Sequence, residues 1–398
     1  MYKIFFSLAV FLFSLNFVFS QNDLQDNNKE LETILGGYVL LNNELESIDF
    51  LNELDNGLQI KIVINDKEYI FLLDTASSVS IINNNIKEIG RPVSKIMVVD
   101  NFGNESEKDL YLLDFKIGQN VFKDFAFIQK NLSGINYNTC LNIDGIIGIN
   151  ILKKLNWKIV KNEKKIFFSK KEFDYNNFYE PTSIKWFNNL IPLIELNTKS
   201  SNFYLAIDTG YFGTIKLSEE NYNLINDNYK KLIKGSGQAF FSIEKSIKTE
   251  LRKTFINDLS LKNGLNFSNY EIVIDNSKPI IGQKILFNDN LILNFLTSEI
   301  SFGKKINIDK NESNDLNFKI CKSSKNDNEI EVCFFWNSDN NKNLKVGDRI
   351  LKIDSFNTEN ISHNDYCELL NYIKKREVIS VIFQRGKKQF TNNIILTE

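Results

Sequence analysis

Two aspartates, Asp74 and Asp208, stand 134 residues apart in the same local setting. Each closes an apolar run and is followed by threonine and a small residue: Phe71-Leu72-Leu73-Asp74-Thr75-Ala76 and Leu205-Ala206-Ile207-Asp208-Thr209-Gly210. Burying the apolar residues on either side would bring each acid to the floor of a groove. Two such carboxyls brought face to face cannot both ionise easily, so the pair holds one proton between them. The ionised member takes a proton from water while the protonated member polarises a carbonyl, which is acid–base chemistry done by carboxylates alone. The composition leaves few other routes to hydrolysis. His363 is the sole histidine, so a Ser-His-Asp or Cys-His set would have to be built on it, and histidine-rich metal sites are excluded. Cys140, Cys321, Cys333 and Cys367 form no C-x-x-C pair, which removes the common zinc and dithiol patterns. No metal and no other cofactor is expected.

The spacing of the two aspartates belongs to a longer repeat. Asp144-Gly145-Ile146-Ile147-Gly148 is echoed by Pro279-Ile280-Ile281-Gly282, and Gly148 and Gly282 are again 134 apart. At the same offset Ile60 and Ile62 fall on Ile194 and Leu196, Ile166 and Phe168 on Ile300 and Phe302, and Gly103 on Gly237. Several matches at one offset mean two lobes built from one unit, related by a pseudo-two-fold axis that brings Asp74 and Asp208 together. Short alternating runs such as Leu58 to Ile64 and Tyr111 to Ile117, separated by Asn, Asp and Gly, predict strands rather than helices. A glycine after two apolar residues lets a second backbone segment pass close by.

These motifs resemble the aspartic peptidases of the pepsin/retropepsin type, in particular the exported, two-lobed bacterial kind that carries a C-terminal PDZ-like domain. The resemblance rests on Leu72-Leu73-Asp74-Thr75-Ala76-Ser77-Ser78, Ala206-Ile207-Asp208-Thr209-Gly210, Ile146-Ile147-Gly148 and Ile280-Ile281-Gly282. It implies a mainly β fold: two homologous β lobes about a pseudo-two-fold axis, followed by a small α+β PDZ-like domain. It implies a peptide or protein substrate, with Asp74 and Asp208 as the catalytic dyad. Thr75 and Thr209 would lock the two loops by hydroxyl hydrogen bonds across the axis, Ala76, Ser77 and Gly210 would support them, and Gly148 and Gly282 would pack beneath. The sequence departs from the family pattern at Ala76, where glycine is usual, and at Tyr211-Phe212, where a small residue is usual. If these residues obstruct the pair, the alternative is a non-catalytic peptide- or protein-binding module that keeps the groove. Asn101-Phe102-Gly103-Asn104, between two apolar runs, reads as a hairpin turn. The resemblance places a flap there, with Phe102 and Gly103 at its tip, and its echo around Gly235 to Gly237 is either a second flap or a plain loop.

Beyond Lys304 a polar stretch around Asn311 to Asp315 reads as a linker. Leu344-Lys345-Val346-Gly347-Asp348-Arg349-Ile350-Leu351-Lys352-Ile353-Asp354 then resembles a PDZ domain, with a helix expected from about Asn364 to Lys375 capped by Ser362 or Asn364, and strands at Val378 to Phe383 and Phe390 to Leu396. The Gly-rich loop that holds a peptide carboxylate is not visible near Asn317 to Lys325, so this domain either binds a peptide segment or packs on one. Cys321 and Cys333 either meet across a hairpin or are free buried thiols.

At the other end, Met1-Tyr2-Lys3 and the apolar run Ile4 to Phe19 read as a signal peptide over residues 1–20, so an exported protein, periplasmic or secreted, is expected. No later stretch is apolar and long enough for a transmembrane segment in the mature chain. A formal net charge of −2 on 398 residues argues against a nucleic-acid partner held by a basic surface. The expected organisation is an N-terminal segment at 21–55 (linker, pro-segment or strand region), a first lobe at 56–174, a second at 185–305 and the PDZ-like domain at 316–398.

Overall fold

Runs in which every second residue is apolar build the body of the molecule. The computed structural model describes residues 30–51, 57–99, 105–198, 201–225, 232–240, 246–256, 259–267, 270–275, 277–304, 318–323, 329–337 and 344–396. The expected signal peptide, the linker at Asn311 to Asp315 and the flap tip at Phe102 and Gly103 lie outside these residues. Of the described residues 53% are strand and 12% helix, which makes the fold mainly β.

Six strands of the first repeat close into a barrel. Around it run Asn120–Lys130, Ser80–Asn83, Gly145–Ile147, Lys67–Leu73, Gln59–Ile64 and Glu105–Ile117, and the last pairs back onto the first. Ile60, Ile62, Phe71, Ile117 and Phe122 turn inward and are fully buried. The second repeat reuses the same ladders. Ile60 faces Phe71 and Ile62 faces Tyr69, while Ile194 faces Leu205 and Leu196 faces Phe203. Leu72 and Leu73 run parallel to Ile146 and Ile147, as Ala206 and Ile207 do to Ile280 and Ile281. The offset of 134 is therefore a register, kept by the pairing of apolar residues.

Between those landmarks the repeats diverge. Ile81 pairs with Ile128 but its counterpart Ile215 pairs with Ile272, ten residues later than the offset requires. The second repeat spends the extra residues on a small hairpin, Leu259–Leu261 with Asn266–Phe267. The first repeat restores the count with the helix Ser133–Thr139 before Gly145. The two differences cancel, so the sequence offset alone hides both.

A six-stranded sheet joins the halves, in the order Leu45–Asp49, Lys165–Ser169, Asn156–Val160, Leu291–Asn294, Glu299–Phe302 and Thr182–Ser183. Its centre is the pairing of Trp157 with Leu293 and Ile159 with Leu291. The N-terminal segment supplies one edge, with Ile48 against Ile166, matched at the other edge by Thr182 against Ile300. The described part of residues 21–55 contains the strands Tyr38–Leu40 and Leu45–Asp49, and Ile48 stands at the offset of 134 from Thr182, so the repeat extends upstream of residue 56.

Residues 318–396 form a further antiparallel group around their own apolar core, which includes Phe318, Ile330, Ile353, Leu369, Ile373 and Val381. Its helix, His363–Ile373, is capped by the Ser362 hydroxyl, which accepts from the Asp365 N–H at 3.1 Å. Asp348 is buried and receives Nε of Arg385 at 2.7 Å, Nη2 of the same residue at 2.6 Å and the Lys345 N–H at 2.7 Å. These bonds fix the turn in which Gly347 adopts φ +88°.

This C-terminal group is tied to both repeats. Ile233–Phe240, which pairs with Ser246–Ile256, also takes Phe334–Trp336 as a neighbour, so one sheet runs from the second repeat into the C-terminal group. Gly237 makes the approach possible, since a Cβ there would lie 2.1 Å from the Cys333 carbonyl oxygen. The Gly235–Gly237 segment is thus a strand in this junction and no plain loop. The second tie is a disulfide between Cys140, just past the first-repeat helix, and Cys367. Cys321 and Cys333 are free and buried. Among the described residues no helix is long and apolar enough to cross a membrane.

The disulfide spans 227 residues of sequence, and closing so long a loop stabilises by roughly 2–5 kcal/mol. Reduction of the folded protein is expected to lower its melting temperature by several degrees. The double variant Cys140→Ser/Cys367→Ser should melt at that lower temperature with or without reductant. A wild-type melting curve insensitive to reductant would contradict the link.

Candidate active site

The strands Lys67–Leu73 and Asn202–Ile207 end in buried apolar residues, and the chain turns at the aspartate that follows each. The backbone N–H of Asp74 donates to the carbonyl of Ile147, and that of Asp208 to the carbonyl of Ile281, both at 3.0 Å. The apolar-apolar-Gly segments singled out in the sequence therefore hold the two acids by their main chain.

The threonines then bind each other's loops. The Thr75 hydroxyl donates to the Ile207 carbonyl at 2.5 Å and accepts the Thr209 N–H at 3.1 Å. The Thr209 hydroxyl donates to the Leu73 carbonyl at 2.9 Å and accepts the Thr75 N–H at 3.0 Å. Both threonines are buried, 1% and 2% exposed, so neither hydroxyl has water as a substitute. The exchange pulls Asp74 and Asp208 into one site.

Loop amides orient each carboxyl. Asp74 Oδ1 accepts from the N–H groups of Ala76 at 2.9 Å and Ser77 at 3.2 Å, and Asp208 Oδ1 accepts from Gly210 at 2.9 Å. A Cβ on Gly210 would lie 2.6 Å from Cγ of Asp74, so the Asp74 carboxyl packs directly on the glycine that holds Asp208. Gly148 and Gly282 serve close packing. A Cβ would meet the Ser77 carbonyl oxygen at 2.6 Å in the first case and the Tyr211 ring at 2.4 Å in the second.

Both carboxyls are partly accessible, and both are shifted upward from the ordinary value of 3.8. For Asp74 the cause is lost hydration, opposed by the Ala76 and Ser77 amides. For Asp208 lost hydration again leads, the charge of Asp74 adds to it, and Lys216 opposes both, with the Gly210 and Tyr211 amides opposing more weakly. The pair thus keeps a proton at pH values where two separate aspartates would both be charged.

The two aromatic departures point into packing. Tyr211 nests against Gly213 and Gly282 and joins the apolar cluster of Ile191, Ala206 and Ile280. Phe212 packs on the main core, with Cε1 3.1 Å from where a Gly57 Cβ would stand. The arms of the expected flap, Ser94–Val99 and Glu105–Ile117, pair antiparallel from Ser94 with Leu110 to Val99 with Glu105. His363 lies in the C-terminal helix beside Cys367, with ring nitrogens 3.7 and 3.9 Å from its sulfur. Among the described residues no cluster of three or more His, Cys, Asp or Glu is arranged to hold a metal ion.

Two site residues escaped the sequence reading. Gln283 is buried after Gly282 and donates through Nε2 to the Thr209 carbonyl, bracing that loop. Lys216 is buried in the strand Ile215–Ser218. A cation inside an apolar run was the available signal for it.

The chain matches no known family profile. Trigger factor of Wolbachia pipientis wMel is 22% identical over 206 residues, which is 50% of this chain and 43% of that protein. The chain spans less than half of that relative's length, and the likeness establishes no family.

Raised carboxyls make stability depend on pH with a definite sign. The folded state binds more protons than the unfolded state above the ordinary carboxylate value, so stability falls as pH rises through the raised values. Asp208→Asn removes one of the two raised carboxyls. It should melt higher than wild type at pH 8, and the difference should vanish near pH 3, where both proteins are uncharged at that position. Melting curves across that range test this; an equal difference at both ends would contradict the raised carboxyl.

Proposed function

We propose that this chain is an exported aspartic endopeptidase that hydrolyses peptide bonds with one water activated between Asp74 and Asp208. The reading is carried by the reciprocal threonine exchange, which brings two raised, partly accessible carboxyls to either side of Gly210. The ionised carboxylate takes a proton from the water as it attacks the peptide carbonyl. The protonated carboxyl donates a hydrogen bond to the carbonyl oxygen, where charge develops in the transition state. Collapse of the tetrahedral intermediate then passes a proton from the pair to the leaving amine. Packing of Tyr211 and Phe212 away into apolar clusters favours this reading over a groove obstructed by aromatic rings.

In this reading the two matched repeats are aspartic-protease-type lobes and the C-terminal group is a PDZ-like domain. The strand junction at Phe334–Trp336 and the Cys140–Cys367 disulfide favour a packing role for that domain. The disulfide also suits an oxidising compartment, in keeping with a signal peptide and a periplasmic or secreted location.

The purified mature chain should cleave a casein-type substrate with a bell-shaped pH profile whose optimum lies above pH 4, since the pair holds its shared proton above the ordinary carboxylate range. Asp74→Asn and Asp208→Asn should each lower kcat by roughly 10³-fold or more with an unchanged circular dichroism spectrum. Ala76→Gly should keep or raise the rate, because it only removes a methyl group from the loop. Cleavage that survives either Asn variant would overturn the proposal. Peptide binding without cleavage in the wild type would replace it with the binding-module reading.

A further inference from the structure

The strand Gly145–Ile147, whose last carbonyl holds the Asp74 N–H, is reached through a segment that the second repeat lacks. In the first repeat residues 131–144 lie between Asn120–Lys130 and Gly145–Ile147, and they include the helix Ser133–Thr139. In the second, residues 276–279 alone separate Tyr270–Asp275 from Ile280–Ile281. The inserted segment carries Cys140, whose disulfide partner Cys367 sits in the helix His363–Ile373 of the C-terminal group. The link is thus made to the support of one aspartate and not to that of the other.

From Cys140 to Asp74 the chain is bonded at successive steps. Cys140 packs against the C-terminal core and holds a left-handed backbone, φ +57°, which a residue with a Cβ adopts only at a cost. Asn136, in the inserted helix, grips Ile143 twice: its Nδ2 donates to the Ile143 carbonyl at 2.8 Å and its Oδ1 accepts the Ile143 N–H at 3.1 Å. The Asp144 carboxylate accepts the Ile70 N–H at 2.9 Å, and the Asp144 N–H donates to the Ile70 carbonyl at 2.7 Å. Gly145–Ile147 then runs parallel to Phe71–Leu73 and ends on the carbonyl that accepts from Asp74. Cys140 and Cys367 are each half-buried, so solvent reaches both, whereas the thiols of Cys321 and Cys333 are buried. The sole histidine stands one helical turn before Cys367, its ring nitrogens 3.7 and 3.9 Å from that sulfur. An imidazole N–H there meets a thiolate as it forms, and a better-stabilised thiolate leaves a disulfide faster.

We propose that Cys140–Cys367 is a reversible redox switch: a dithiol reductant opens it, Cys367 leaves against the His363 ring, and the freed segment 133–144 loosens the strand that holds Asp74. One thiolate of the dithiol attacks Sγ of Cys140, the Cys140–Cys367 bond breaks, and Cys367 departs with the electron pair and then takes a proton. The second thiolate attacks the reductant's own sulfur in the mixed disulfide and releases Cys140, which is protonated in turn. Two electrons pass to the protein, and the dithiol ends as a disulfide. The effect on catalysis rests on the peptidase reading; the opening of the link and the loosening of the strand do not.

The test treats the purified full-length protein with dithiothreitol, well below the melting temperature of its reduced form, and follows thiol alkylation by mass mapping. Cys140 and Cys367 should become labelled without denaturant, and His363→Gln should slow that opening by roughly three-fold or more. Amide hydrogen exchange over residues 133–147 should quicken by roughly ten-fold on opening, while residues 270–281 keep their rates. Casein cleavage should fall by roughly ten-fold in kcat/KM and return when glutathione disulfide reforms the link. Cys140→Ser/Cys367→Ser should stay in the loosened, slower state whatever the reductant. A link that opens only in denaturant, or exchange over 133–147 that is the same open and closed, would overturn the switch even if cleavage is robust. An unchanged opening rate in His363→Gln would overturn the part given to that ring. Quickened exchange in a protein that never cleaves would uphold the switch and remove only the peptidase reading.

Discussion

Two buried threonine hydroxyls, each bonded to the main chain of the other half, are the constraint on which the rest of the structure depends. Thr75 and Thr209 each donate to a carbonyl of the opposite loop's strand and accept an N–H from the facing threonine. A buried hydroxyl or amide left without a partner costs about 1–3 kcal/mol, well above the net gain of about 1 kcal/mol from an ordinary hydrogen bond. Neither loop can be satisfied alone. The six-stranded sheet, with Trp157 against Leu293 at its centre, serves the same end by fixing the halves at one spacing. Asp74 and Asp208, one residue before each threonine, therefore have little freedom to separate.

That closeness has an electrostatic consequence. Desolvation lifts both carboxyls, mutual repulsion lifts Asp208 further, and the loop amides with Lys216 pull in the other direction. The pair is poised by opposing effects of similar kind, so small changes in its surroundings move its proton affinity. The apolar packing of Tyr211 and the amide of Gln283 hold the second loop in place beneath it. Further out, the C-terminal group is joined to the second repeat by strand pairing and to the first by a disulfide, so both halves share one added support.

Much of this was legible in the sequence because it depends on local residue types at fixed spacing. The Asp-Thr-small motifs, the apolar-apolar-Gly partners and the shared offset all report side-chain identities that a buried loop requires. The helix cap was legible for the same reason, as Ser362 or Asn364, and Ser362 supplies it. What was missed depends on pairings between distant segments. Nothing near Cys140 or Cys367 announces that they meet, whereas for Cys321 and Cys333 the sequence left a hairpin pairing and free buried thiols open, and they are the latter. Leu45–Asp49 is a short, partly exposed edge strand with weak alternation, which left the N-terminal segment open. The ten-residue extension in one repeat and the helix in the other cancel in the offset. Gly235 and Gly237 looked like turn residues, but their small size serves the approach of Phe334 and Trp336.

The central claim is that Asp74 and Asp208 act as a single site made by both halves. Calorimetric titration of the purified protein with a statine-type peptide, whose hydroxyl stands in for the attacking water, tests it most directly. The account requires one inhibitor bound per chain and loss of that binding when either aspartate alone is replaced by alanine. Binding that survives one of the two replacements, or a stoichiometry of two, would contradict it.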